Sequence, residues 1–154
     1  NRAEPIALPP AQLNADWTHR GGGPSHQIAH PALGGTLALL FSVDIGAGNG
    51  RRVRITADPV IAGGRVFTLD SQAQVQATST GGAVLWRADL TPPADDPSDG
   101  SGGGIATDGA TVYVTTGFGR VTALDAATGA VRWVQALEAA GTLGLTVGNG
   151  VVPL

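Results

Sequence analysis

The chain contains no cysteine, no methionine and no lysine among its 154 residues. Without cysteine there is no disulfide framework, no thiolate metal site and no cysteine nucleophile. Basic charge is scarce as well. All nine basic residues are arginine and the net charge is −3, so a general nucleic-acid-binding face is not expected. Aromatic residues make up only 5%. Long apolar runs are missing. The best, Leu37 to Phe41, falls far short of the ~20 residues that a membrane-crossing helix needs. No Gly-X-Y period runs through the chain, which excludes a collagen helix.

Glycine, by contrast, is abundant. There are 24 glycines and 10 prolines against a hydrophobic fraction of 42%. Glycine supplies the positive φ angles that tight turns require. The apolar fraction is high enough, and the net charge low enough, to argue for a packed core over disorder. Together these numbers point to many short strands joined by tight turns.

Residues 1–35 read as an irregular arm, because Pro5, Pro9, Pro10, Pro24 and Pro31 forbid a long helix and Gly21-Gly22-Gly23 makes a joint. Residues 36–54 hold an expected strand, Leu39 to Asp44, followed by a Gly/Arg loop. An internal repeat comes next. The first copy spans 55–90 and the second 102–137, with an insert at 91–101. Val66 precedes Val75 by the same distance as Val112 precedes Val121, and Gly82 stands to Trp86 as Gly129 stands to Trp133. Each copy is four short β-rich runs punctuated by Gly turns, which predicts a four-stranded antiparallel blade. A third copy begins within 138–154, where Leu145-Thr146-Val147 leads into an Asn149-Gly150 hairpin turn. Two blades and two partial blades leave sheet faces and edges uncovered, so the sequence is expected to be part of a longer β-propeller.

Few residues point to chemistry. His26 and His30 have helical i, i+4 spacing, but Pro24 and Pro31 bracket them and no acidic partner lies nearby. With His19, they are expected to be unpaired residues of the arm rather than metal ligands. Asp95-Asp96-Pro97-Ser98-Asp99-Gly100 lacks the third and twelfth ligands of an EF-hand loop, so a solvated insert is expected. Gly46-x-Gly48-x-Gly50 has no following Lys-Ser/Thr and reads as turn chemistry. Arg51, Arg52 and Arg54 read as a solvated strand end, and no Ser sits in a nucleophile-elbow context. No catalytic, metal or cofactor-binding residue is assigned.

Ala123-Leu124-Asp125-Ala126-Ala127-Thr128-Gly129-Ala130-Val131-Arg132-Trp133 fits the pattern Ala-x-Asp-x-x-Thr-Gly-x-x-x-Trp. It resembles the tryptophan-docking motif of PQQ-like, quinoprotein-type propeller repeats. The resemblance makes Ala123, Asp125, Thr128, Gly129 and Trp133 blade-docking residues. Ala77, Gly82 and Trp86 hold the same places in the first copy, where Ser79 replaces the Asp and the turn is one residue shorter. Over residues 16–137, including the lead-in Asp16-Trp17-Thr18-His19-Arg20-Gly21-Gly22-Gly23, the chain resembles the BamB-type branch of outer-membrane protein assembly factors. That resemblance implies an eight-bladed ring and a non-catalytic periplasmic scaffold at the outer membrane, without a cofactor. Its partners would be proteins of the assembly machinery or of another envelope complex, and an N-terminal lipid could add peripheral membrane association. In that branch the strand matching Leu39–Asp44 completes the last blade. The same repeats also build PQQ-dependent quinoprotein dehydrogenases and accessory propeller subunits, the alternatives for this chain.

Overall fold

A computed structural model describes residues 7–28, 30–137 and 145–147. Strand β1 (Val60–Ala62) turns through Gly63 and Gly64 into β2 (Arg65–Leu69), followed by β3 (Gln74–Ser79) and β4 (Val84–Asp89). Both turn glycines have positive φ, +55° and +73°, which a side chain would resist. The second unit repeats this order with β5 (Gly103–Thr107), β6 (Thr111–Thr116), β7 (Arg120–Asp125) and β8 (Val131–Ala136). Each unit is a four-stranded antiparallel meander in sequence order. A register shift falls at Ala77/Thr78 in the first sheet and at Ala123/Leu124 in the second, directly before the β3–β4 and β7–β8 turns. The chain is thus all-β, with two blade-like sheets and the architecture of a propeller fragment. A 3-10 turn at Pro97–Gly100 lies in the connection between them.

The core lies between the two sheets. Val60, Phe67, Leu69, Val75 and Ala77 of the first meet Ile105, Val112, Val114, Leu124 and Ala126 of the second unit. A second, smaller cluster forms on the far face of the second sheet, where Ala106, Tyr113 and Ala123 pack against Leu145 and Val147. Every residue of β6 is therefore buried, because both of its faces are covered. The outermost strand β8 is exposed along its whole length.

Leu39–Asp44, expected as a strand, enters no ladder among the described residues. A strand is defined by its partner, and none of the eight strands offers this segment its edge. The segment instead lies against the first sheet through side chains. Phe41 packs on Gly82, and the Gln76 amide donates to the Asp44 carbonyl at 3.1 Å. Just beyond, the buried Asp70 carboxylate accepts from the backbone amides of Ala47, Gln72 and Gln74, each at 2.8 Å. The expected Asn149-Gly150 hairpin lies outside the described residues, and only Leu145, Thr146 and Val147 of that copy are described.

Candidate functional site

Of the docking residues read from the repeat, Trp86 and Gly129 meet at the seam between the two sheets. Trp86 on β4 reaches across to the β7–β8 turn, and its indole N–H donates to the Ala126 carbonyl at 3.1 Å. Gly129 lies under the ring with φ +74°, and a Cβ there would sit 2.6 Å from Trp86 Cε3. Glycine is thus required twice over at this position, by the backbone and by the indole. Trp86 also tilts against Phe67 with ring centroids 5.9 Å apart, which ties the seam to the core.

The turn that receives the indole is held by Asp125. One carboxylate oxygen accepts from the amides of Ala127 and Thr128 and from the Thr128 hydroxyl, and the other from Arg132 at 2.7 Å. The Arg132 hydrogen bond first, then those from Thr128, bring the Asp125 pKa down to about 2. Arg132 also donates to Thr111, linking the turn to β6. In the first sheet Ser79 does part of this work, since its hydroxyl accepts from the Ala83 amide at 3.1 Å. Gly82, with φ +89°, occupies the place of Gly129, and a Cβ there would lie 2.8 Å from Phe41 Cβ. Ala77 stands opposite Trp86 and Ala123 opposite Trp133 in the sheet register. Both alanines are fully buried. Trp133 leans on Tyr113 at 6.1 Å and is 41% exposed, with no neighbouring turn beside it among the described residues.

The histidines depart from expectation, because none is unpaired. His19 is only 2% exposed, and its Nε2 accepts from the Val147 amide at 2.9 Å. His26 joins the Arg20 carbonyl and the Thr146 hydroxyl, and His30 donates to the Pro9 carbonyl, each at 2.7 Å. An arm that looks featureless in sequence is therefore bound across the inner strands, through contacts 120 or more residues apart in the chain at His26 and His19. Such pairing leaves no local pattern to read. Arg51, Arg52 and Arg54 are exposed. Asp96 caps the 3-10 turn by accepting from Ser98. Gly46 lies over the Asp70 carboxylate in a turn with φ +110°.

Beside the arm is a cleft of about 180 Å³, lined by Arg20, Thr56, Asp58, Gly103, Gly104 and Leu145. Small-molecule sites usually enclose about 300 Å³ or more. Among the described residues, no three His, Asp or Glu side chains gather to hold a metal ion. These residues do not fit a quinone-and-calcium centre.

The family model described as outer membrane protein assembly factor BamB matches residues 72–154, more than half of the chain. The chain belongs to this family. No curated protein matches it. Among solved structures, a quinohemoprotein alcohol dehydrogenase from Comamonas testosteroni is similar at 26% identity and a TM-score of 0.69, over 92% of this chain and 23% of that one. A second, ADHIIG from Pseudomonas putida HK5, shares 22% identity with a TM-score of 0.63, over 90% of this chain and 22% of that one. BamB from Moraxella catarrhalis matches at 24% identity and a TM-score of 0.44, over 55% of this chain and 24% of that one. The chain spans under a quarter of the length of these structures. The BamB-family propeller fold thus accounts for the repeat, the blade-like sheets and the indole seam.

Proposed function

We propose that this chain is part of a non-catalytic scaffold of the bacterial envelope, in the periplasm at the outer membrane, where it binds other components of β-barrel protein assembly. The family match over residues 72–154 is the observation that carries the reading. The site geometry supports it. The two seams share one geometry, an aromatic side chain on a turn glycine, with Trp86 on Gly129 and Phe41 on Gly82. Trp133 would dock on the turn of a following blade, and the segment around Phe41 would serve as the outer strand of a preceding one. Binding would then fall to loops and to exposed strand edges. An open edge can accept an extended client strand by β-augmentation.

The match to quinohemoprotein alcohol dehydrogenase over 92% of the chain favours one second reading, the N-terminal part of a quinoprotein dehydrogenase. One experiment separates the two. Full-length protein is cross-linked in the envelope of its own cells and purified. Recovery of assembly-pore components supports the scaffold. Their absence, together with a quinone absorbance and calcium-dependent dye reduction, overturns it in favour of the dehydrogenase.

A further inference from the structure

Three consecutive arm residues bond to one and the same position in three successive repeats. Trp17 exchanges both backbone hydrogen bonds with Ile61, each at 2.7 Å. The Thr107 amide donates to the Thr18 carbonyl at 3.0 Å. The Val147 amide donates to His19 Nε2 at 2.9 Å. Ile61 stands opposite Val66, and Thr107 stands opposite Val112, the matching residue of the second copy. Val147 precedes Asn149-Gly150 as Ile61 precedes Gly63-Gly64. The arm thus satisfies one amide at the matching position of each copy and bridges all three.

Two of the three acceptors are backbone carbonyls, which do not change with pH. The third is an imidazole nitrogen, which accepts only while it carries no proton. The other ring nitrogen, Nδ1, lies 2.8 Å from the Thr18 hydroxyl, to which it donates in this tautomer. A proton added at Nε2 would point at the Val147 N–H and break the third tie. Among the described residues, no carboxylate bonds to His19. β1, β5 and Leu145-Thr146-Val147 carry no charged side chain. The titratable group facing His19 is His26, edge-to-face at 6.2 Å and itself a potential cation. Asp16, on the arm itself, accepts from the Gly63 amide at 3.0 Å, and Asp58 is paired with Arg20 at 3.4 Å.

We propose that Trp17–His19 is an acid-released strap, docked across the inner strands while His19 is neutral and freed when His19 takes up a proton. Burial, first, and the neighbouring His26 push the His19 pKa below its usual 6.5. The Val147 amide, a donor with no lone pair to offer a protonated ring, acts in the same direction. The released arm therefore binds the proton more tightly than the docked one. Docking is whole above about pH 6.5 and weakens up to tenfold for each pH unit below it, until the lower docked value is reached. The proposal is independent of whether the full protein is a scaffold or an enzyme.

Amide hydrogen exchange of the full chain, read from pH 8 to pH 5, tests it. The protection factor of Val147 should fall up to tenfold per pH unit below about 6.5, while that of Val114 in the core stays constant. His19→Gln keeps an acceptor for the Val147 amide but cannot be protonated, so the fall should vanish. His26→Gln should leave it in place. Flat protection in the parent protein, an unchanged fall in H19Q, or a fall abolished by H26Q alone would each overturn the strap. Should H19Q not fold, the ring nitrogens of the parent protein decide by NMR. An unprotonated Nε2 titrating below 6.5 supports the proposal, and a value at or above 6.5 refutes it.

Discussion

Replacing Gly129 with alanine should cost far more than the same change at Gly109, and the difference measures the indole seam. Both glycines have positive φ, +74° and +92°. An L-residue in that region costs about 1–2 kcal/mol, so this term is common to both variants. At Gly109 nothing lies within 4 Å of a new Cβ. At Gly129 the methyl would lie 2.6 and 2.7 Å from Cε3 and Cδ2 of Trp86, so the ring must move. Overpacking of this kind costs about 1–3 kcal/mol. A displaced indole also strains its hydrogen bond to Ala126, a net contribution of about 1 kcal/mol. G129A should therefore destabilise by about 2–4 kcal/mol more than G109A. Denaturant unfolding of the full chain gives the free energies, and a red shift of tryptophan emission in G129A alone reports the exposed ring. The G129A/W86L double variant should recover part of the loss through coupling between the two sites. Equal costs for G129A and G109A, within about 0.5 kcal/mol, would refute the close approach of Trp86 to this turn.

Other expectations follow from the same seam and its neighbours. Trp86→Phe keeps most of the ring but leaves the Ala126 carbonyl without its donor, and should cost about 1–3 kcal/mol in thermal or denaturant unfolding. Gly82→Ala should push Phe41 off the first sheet and raise the rate of limited proteolysis near Leu39 and Leu40, which are already 86% exposed. Asp70→Asn turns an amide NH2 towards one of three backbone N–H groups and should destabilise by about 1–3 kcal/mol, seen as faster exchange at Ala47, Gln72 or Gln74. Asp125 has a folded value of about 2 against an ordinary 3.8. Its stabilisation of the β7–β8 turn is thus whole above the ordinary value and lost as pH falls through about 2. Exchange protection of the Thr128 amide should show that loss, and Asp125→Asn should remove its pH dependence.

The two sheets could be read from sequence because their signals are local. Alternating β-rich runs and turns such as Gly63-Gly64 and Thr128-Gly129 repeat at matching separations, and each needs only its neighbours to form. The motif marked Trp86 and Gly129, which meet at the seam, for the same reason. What it could not name was the receiving partner, since Trp86 meets Ala126 and Gly129 some 40 residues away. Phe41 was missed because it is not a tryptophan and sits in no ladder. A faint signal existed, as Phe41 precedes Gly82 by 41 residues and Trp86 precedes Gly129 by 43. His19 had no such signal. Its partner is a backbone amide, which any residue but proline at position 147 would supply, so the side-chain sequence carries almost no trace of the contact.

The scaffold reading is tested most directly with purified components. The full-length protein is titrated against the periplasmic domains of the outer-membrane assembly pore, and the same preparation is assayed for dye reduction with added quinone, calcium and alcohol. The account predicts saturable binding and no turnover. Turnover without binding would contradict it and assign the propeller to a dehydrogenase.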